Sequence, residues 1–203
     1  MHGLYAIADT GVLATADLRV AVAAALAGGA QIVQYRDKGD DAIRRGDQAA
    51  TIVTLCREAG AVSIINDDVE LALSSGADGV HIGRNDADAV AARDRLGPGC
   101  LLGVSCYNDL ERARAAAAMG ADYVAFGSVF ASATKPDAVH APLDLLRRAR
   151  SQIPLPLCAI GGITADNAAE VFAAGAHMVA VIHDLFEAGD IRARASRIAA
   201  TER

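Results

Sequence analysis

Short apolar runs alternate along this chain with longer stretches whose apolar positions recur every three to four residues. The short runs predict strands at Leu4–Ala8, Gln31–Arg36, Val62–Asn66, Gly79–Ile82, Leu101–Ser105, Tyr123–Gly127, Leu157–Ile160 and Met178–Ile182. Most are apolar on both faces, as strands in a sheet covered by helices must be. The longer stretches predict helices over Leu18–Ala27, Ala42–Ala59, Val69–Ser74, Ala87–Leu96, Leu110–Met119, Leu143–Gln152, Ala165–Ala174 and Asp184–Ile198, with Thr164 as the N-cap of the seventh. Four passages from helix to strand use one phrase, Gly-Ala-x-x-β-branched, beginning at Gly29, Gly76, Gly120 and Gly175. The glycine supplies the left-handed conformation that ends a helix, and the β-branched residue suits the strand that follows. The copies recur about 50 residues apart, which is room for two strand–helix units each. Four copies at two units each predict an α/β fold, a single-domain (β/α)8 TIM barrel over residues 1–203, with its chemistry at the C-terminal ends of the strands. An open doubly wound sheet would also alternate strands and helices. Eight strands in 203 residues, and no G-x-G-x-x-G after the first strand, favour the closed barrel.

Composition narrows the function classes. A net charge of −6 and a pI near 5.3 argue against a nucleic-acid or anionic-membrane partner. No apolar run reaches the length that spans a bilayer, and the Met1–Tyr5 start lacks the basic-then-apolar pattern of a signal peptide. Cys56, Cys100, Cys106 and Cys158 form no C-x-x-C pair and read as reduced thiols in or near the core. A cytoplasmic enzyme fits. Barrels of this size often assemble, so a homo-oligomer is compatible with the chain, although nothing in it names an interface.

The polar residues at the strand ends carry the candidate chemistry. Alternation puts Ile32, Gln34 and Arg36 on one face of the second strand and Val33 and Tyr35 on the other. Gln34 and Arg36 then point into the barrel mouth, with Lys38 just beyond, as an anion clamp or else as a solvated basic turn paired with Asp37 or Asp40. The third strand ends in Asn66-Asp67-Asp68: either helix-capping acids, or an amide that reads a heterocycle beside a carboxylate that holds Mg²⁺. The fourth ends in Gly83-Arg84-Asn85-Asp86, where Asp86 is a second carboxylate or another cap. Ser105 closes the fifth strand at the same height, and His81 packs in or near the mouth. The loop after the sixth strand offers Ser132, Thr134 and Lys135, which suit phosphate or an ordinary polar loop. Gly161-Gly162 at the seventh strand end allows close backbone approach to an anion, and the eighth ends Ile182-His183. Together these make two anion sites in one mouth, the layout needed to hold a diphosphate beside a monophosphate.

At these motifs the chain resembles the thiamine-phosphate synthase family. The resemblance spans nearly the whole chain and rests on Gln34–Lys38, Asn66-Asp67, His81–Asp86, Gly103–Ser105, Ser132–Lys135 and Ala159–Ile163. It implies condensation of a hydroxymethylpyrimidine diphosphate with a hydroxyethylthiazole phosphate to give thiamine monophosphate and pyrophosphate. It also implies that the diphosphate departs first and that the thiazole nitrogen captures the resulting pyrimidinylmethyl cation. It further implies that Gln34, Arg36, Lys38, Asn66, Ser105 and Lys135 serve the pyrimidine diphosphate. Ser132, Thr134, Gly162, Ile182 and His183 would hold the thiazole phosphate, and Asp67 and Asp86 would hold Mg²⁺. Arg36, Lys38, Ser105 and Lys135 would carry the catalytic work. Three positions depart from the family pattern: His183 where serine is common, Ser128 where proline is, and Ser132 where threonine is. Two rival readings remain: a thiazole tautomerase, which needs an acid–base residue such as His183, and a non-catalytic thiamine-phosphate-binding relative.

Overall fold

The computed structural model describes residues 1–13, 17–83, 89–131 and 139–202. The elements are β1 (Gly3–Asp9), α1 (Leu18–Ala27), β2 (Ala30–Arg36), α2 (Ala42–Ala59), β3 (Val62–Asn66), α3 (Val69–Ser75), β4 (Gly79–Ile82) and α4 (Ala89–Leu96). They continue with β5 (Leu101–Tyr107), α5 (Leu110–Ala118), β6 (Tyr123–Phe126), α6 (Leu143–Gln152), β7 (Leu157–Ile160), α7 (Ala168–Ala173), β8 (Met178–Val181), α8 (His183–Phe186) and α9 (Ile191–Ala199). Each strand pairs in parallel with the next, and β8 pairs with β1 to close the barrel. This is the single-domain (β/α)8 barrel that the repeat predicts.

Closure divides the apolar residues into two cores. Inside the barrel lie Tyr5, Ile7, Ile32, Ile64, Tyr123, Ala125, Cys158, Met178 and Ala180. Alternate residues of the same strands, among them Leu4, Ala6, Val33, Ile65, Val80, Leu102, Val124 and Val179, pack outward against the helices. The face assignment read from β2 holds: Gln34 is buried inside, and Val33 and Tyr35 face the helices. Cys56, Cys106 and Cys158 are buried and Cys100 partly so, all as free thiols.

The repeated phrase has a second role beyond ending helices. In three copies its third residue clasps the strand before it. Asp78 Oδ2 accepts hydrogen bonds from the backbone N–H and hydroxyl of Ser63 in β3, both at 2.7 Å. Asp122 Oδ2 accepts from Leu102 N–H in β5 at 2.7 Å, and His177 Nδ1 accepts from Leu157 N–H in β7 at 3.0 Å. Strand starts at the bottom of the barrel thus gain acceptors that the sheet does not supply. Arg93 reinforces one clasp: it pairs with Asp122 and donates to the carbonyls of Gly97, Cys100 and Gly120.

Helix starts follow capping chemistry. Asp17, Asp41, Asp68, Asp109 and Asp190 each accept from N–H groups in the first turn of their helix. The structure departs from expectation in two places. The last predicted helix, Asp184–Ile198, is two helices, because Asp190 starts a new one after the Ala188-Gly189 break. Helix α7 begins at Ala168, and Thr164 does not cap it. The Thr164 hydroxyl accepts from Asp166 N–H at 3.3 Å in a preceding turn, and Thr164 N–H donates to Asn167 Oδ1 at 2.7 Å.

Candidate active site

The inward faces of β1 to β5 deliver polar side chains to the C-terminal mouth. Register places Asp9 beside Arg36, Ile7 beside Gln34, and Asn66 beside His81. Arg36 forms an ion pair with Asp9 that is largely withdrawn from solvent. Asp9 also accepts from Gly11 N–H at 2.9 Å, which holds its carboxylate in place. Lys38 pairs with Asp67 across the neighbouring loop. The basic residues therefore do not form a solvated turn with Asp37 or Asp40. Asp37 turns the other way: Arg44 approaches it to 2.8 Å, and Gly39 N–H donates to it at 2.7 Å. Burial works against the Asp37 carboxylate. Gly39, the Tyr35 hydroxyl and Arg44 outweigh it and hold the carboxyl below its ordinary range. The β2–α2 turn is thereby braced from behind, and Lys38 is left directed at Asp67.

Asp67 adopts φ of 65°, a conformation uncommon outside glycine that aspartate and asparagine tolerate better than most residues. Its N–H donates to His81 O at 2.8 Å, and Asn66 Nδ2 donates to its Oδ2 at 2.6 Å. Asp68, next in the chain, is the N-cap of α3. Asp68 therefore takes the capping role, and the Asp67 carboxylate is left to Lys38 and Asn66.

Ser105 sits where β5 carries a bulge, since register slips between Ser105 and Tyr107. Bulges re-aim side chains beside active sites. Arg112 donates to Ser105 O at 2.8 Å and stacks 5.9 Å above the Tyr107 ring, bracing the bulge. Ser105 Oγ meets His81 Nε2 at 2.9 Å, and His81 Nδ1 meets the Tyr123 hydroxyl at 3.0 Å. His81 keeps an edge toward the mouth but is crowded by protein. Burial pushes its pKa down to about 4 despite the Asp67 charge nearby, so the ring is neutral near pH 7. A neutral histidine backed by a phenol rather than a carboxylate is not arranged as a nucleophile-activating triad.

On the far side of the mouth, β7 leads into Gly161-Gly162 and β8 into Ile182-His183. Gly162 has φ of 61°, and a Cβ there would collide with Ala131 O. Only glycine fits this crossing of two loops. Asn167 Nδ2 donates to Gly162 O at 3.0 Å and holds the turn. His183 begins α8, with its Nε2 4.0 Å from Glu187 Oε1.

Of the residues singled out from sequence, Gln34, Arg36, Lys38, Asn66, Asp67 and Ser105 converge on the β2–β5 side of the mouth, and Gly162, Ile182 and His183 lie at the ends of β7 and β8. Asp86, Ser132, Thr134 and Lys135 lie outside the described residues. Sequence reasoning missed Asp9, although the alternation Tyr5, Ile7, Asp9 marks it as inward at the end of β1. It also missed the pairing of His81 with Ser105, which joins residues on different strands. Among the described residues, no helix is long and apolar enough to cross a membrane.

Comparison with known proteins places the chain in a family. Residues 4–185 match the family model described as thiamine monophosphate synthase. The thiamine-phosphate synthase of Aromatoleum aromaticum is 55% identical over 97% of this chain and 94% of its own length. That of Nitrosococcus oceani is 53% identical over 97% of this chain and 90% of its own. The solved thiamine phosphate pyrophosphorylase from Pyrococcus furiosus superposes with a TM-score of 0.90 at 34% identity, covering 98% of this chain and 94% of that one. The chain belongs to the thiamine-phosphate synthase family of transferases.

Proposed function

We propose that this chain condenses 4-amino-2-methyl-5-(diphosphooxymethyl)pyrimidine with 4-methyl-5-(2-phosphooxyethyl)thiazole, releasing pyrophosphate and forming thiamine monophosphate. The observation that carries the reading is the set Gln34, Arg36, Lys38, Asn66 and Asp67 on adjacent strand ends, two cations beside one carboxylate and two amides. The amides suit an aminopyrimidine, and the cations suit its diphosphate.

Asp67, together with Asp86, would hold Mg²⁺. The described residues include no group of three acids, histidines or cysteines placed to hold a metal by themselves. That donor set fits Mg²⁺, which is commonly held by one or two carboxylates and completed by substrate phosphates. When bound, the ion would neutralise charge on the departing diphosphate. Arg36 and Lys38 act on the same charge. As the C–O bond breaks, its electron pair passes to the diphosphate oxygen, and the two side chains stabilise that oxygen more in the transition state than before it. The thiazole nitrogen then donates its lone pair to the methylene carbon. No proton leaves that nitrogen, so no general base is needed. Ser105 and Lys135 serve the diphosphate side. Ser132, Thr134, Gly162, Ile182 and His183 hold the thiazole phosphate. In this reading the enzyme works in the cytoplasm on small molecules, without nucleic acid or membrane.

The test is direct: incubate the protein with both substrates and Mg²⁺, then with EDTA, and assay thiamine monophosphate and pyrophosphate. Equal, metal-dependent yields of both are expected. Binding of the thiazole phosphate without turnover would overturn the reading.

A further inference from the structure

Five polar groups inside the barrel join in one line. Gln34 Nε2 donates to the Tyr5 hydroxyl at 2.8 Å, and the Tyr5 and Tyr123 hydroxyls lie 2.9 Å apart. The Tyr123 hydroxyl meets His81 Nδ1 at 3.0 Å, and His81 Nε2 meets Ser105 Oγ at 2.9 Å. Tyr5 and Tyr123 are almost wholly buried, among Ile7, Ile32, Ile64 and Met178. Phenylalanine would pack equally well there, and each buried hydroxyl has a desolvation cost unless bonded. The barrel also makes room for Tyr123: a Cβ on Gly103, the inward residue of β5 beside it, would overlap the phenol ring. A fully bonded buried network of this kind rigidifies the core around it and specifies one arrangement.

The direction of the line follows from its first bond. Tyr5 oxygen accepts from Gln34, so its own hydrogen goes to Tyr123. Tyr123 oxygen accepts that hydrogen, so its own goes to His81 Nδ1. His81 must then carry its hydrogen on Nε2 and give it to Ser105 Oγ. If His81 held hydrogen on Nδ1 instead, Tyr123 would receive two donors and its own hydrogen would have no acceptor in a dry interior. We propose that Tyr5, Tyr123 and His81 are positioning residues: a one-way hydrogen-bond relay from Gln34 to Ser105 that keeps the Ser105 hydroxyl hydrogen directed at the substrate. The relay also orients the Gln34 amide, whose carbonyl and second N–H are left for the heterocycle. Flipping that amide would reverse every bond: Ser105 would then donate its hydrogen to His81 and offer the substrate only an acceptor, so the two ends of the site change together. The inference rests on the reading of Gln34 and Ser105 as substrate contacts.

The test uses ¹⁵N-histidine-labelled protein without ligand, with the His81 signal assigned by its loss in His81→Asn. The expected result is an Nε2–H tautomer in the native protein, becoming mixed in both Tyr5→Phe and Tyr123→Phe. In kinetics, Tyr5→Phe should lower kcat about tenfold, the scale of one misplaced hydrogen bond, while KM for the thiazole phosphate stays within about twofold. It should also remove the non-additivity between Gln34→Ala and Ser105→Ala. An Nδ1–H tautomer in the native protein, or an unchanged tautomer in the tyrosine variants, overturns the relay. If Tyr123→Phe fails to fold, Tyr5→Phe carries the test, because it cuts the same line one bond further from His81. The spectra need no turnover: a relay intact in an inactive protein would overturn the proposed reaction instead.

Discussion

The guanidinium of Arg36 at the end of β2 is locked onto the carboxylate of Asp9 at the end of β1. Asp9 is 6% exposed, so the pair joins a buried carboxylate to the cation proposed to meet the diphosphate. Such a carboxylate orients the guanidinium and offsets its charge until a stronger anion arrives.

Asp9→Asn should therefore damage diphosphate handling without removing Arg36. Charge-assisted hydrogen bonds contribute roughly 1.5–3 kcal/mol, so kcat/KM for the pyrimidine diphosphate should fall about 10- to 100-fold. KM for the thiazole phosphate should stay nearly constant. Steady-state kinetics with each substrate varied in turn checks this. Equal losses for both would show that Asp9 supports the barrel as a whole.

Asp67→Asn separates charge from backbone at a strained position. Asparagine tolerates the φ of 65° seen there, so the loop should keep its shape while the carboxylate is lost. The Mg²⁺ concentration for half-maximal rate should rise at least about tenfold, with urea unfolding little changed. A magnesium titration that superposes on the native curve would remove Asp67 from the metal site.

Asp122→Ala tests the bottom of the barrel rather than the mouth. It strips acceptors from Leu102 N–H and from Arg93. A loss of about 2 kcal/mol in urea unfolding is expected, the range for a lost acceptor to charged and buried donors. Substrate turnover should be within about twofold of native, because residues at this face serve stability.

His177 makes the same clasp with a titratable ring. Burial, Arg150 and the chain's N-terminal ammonium all lower its pKa from 6.5. Its neutral form accepts from Leu157 N–H, so the clasp contributes in full above pH 6.5 and is lost as pH falls through the lowered folded-state value. Stability should thus decline below pH 6.5 in the native protein. His177→Asp installs the residue type found at positions 78 and 122 and should flatten that decline between about pH 5 and 6.5, where aspartate stays ionised. Chemical denaturation at several pH values decides it: parallel curves for both proteins would place the acid sensitivity elsewhere.

Much of this molecule is local in origin. Strand–helix alternation, the barrel, the inward face of β2 and the capping role of Asp68 follow from periodicity, alternation and side chains that bond within a few residues of themselves. The polar residues at the ends of β2, β3 and β5 stood out because strand ends are where such a barrel gathers chemistry. The division of the final helix is also local: the apolar period runs on past Gly189, and the Ala188-Gly189 break with the Asp190 cap divides it. What sequence alone did not supply is partnership across strands. Asp9 with Arg36, Lys38 with Asp67, and the Gln34–Ser105 relay join residues that are distant in the chain. Barrel closure and the register between neighbours set those distances, and no pattern within one strand encodes its neighbour's register. The sequence determined which polar groups the strand ends carry. The tertiary structure decided which of them face each other, because only the closed sheet sets the spacing between strands.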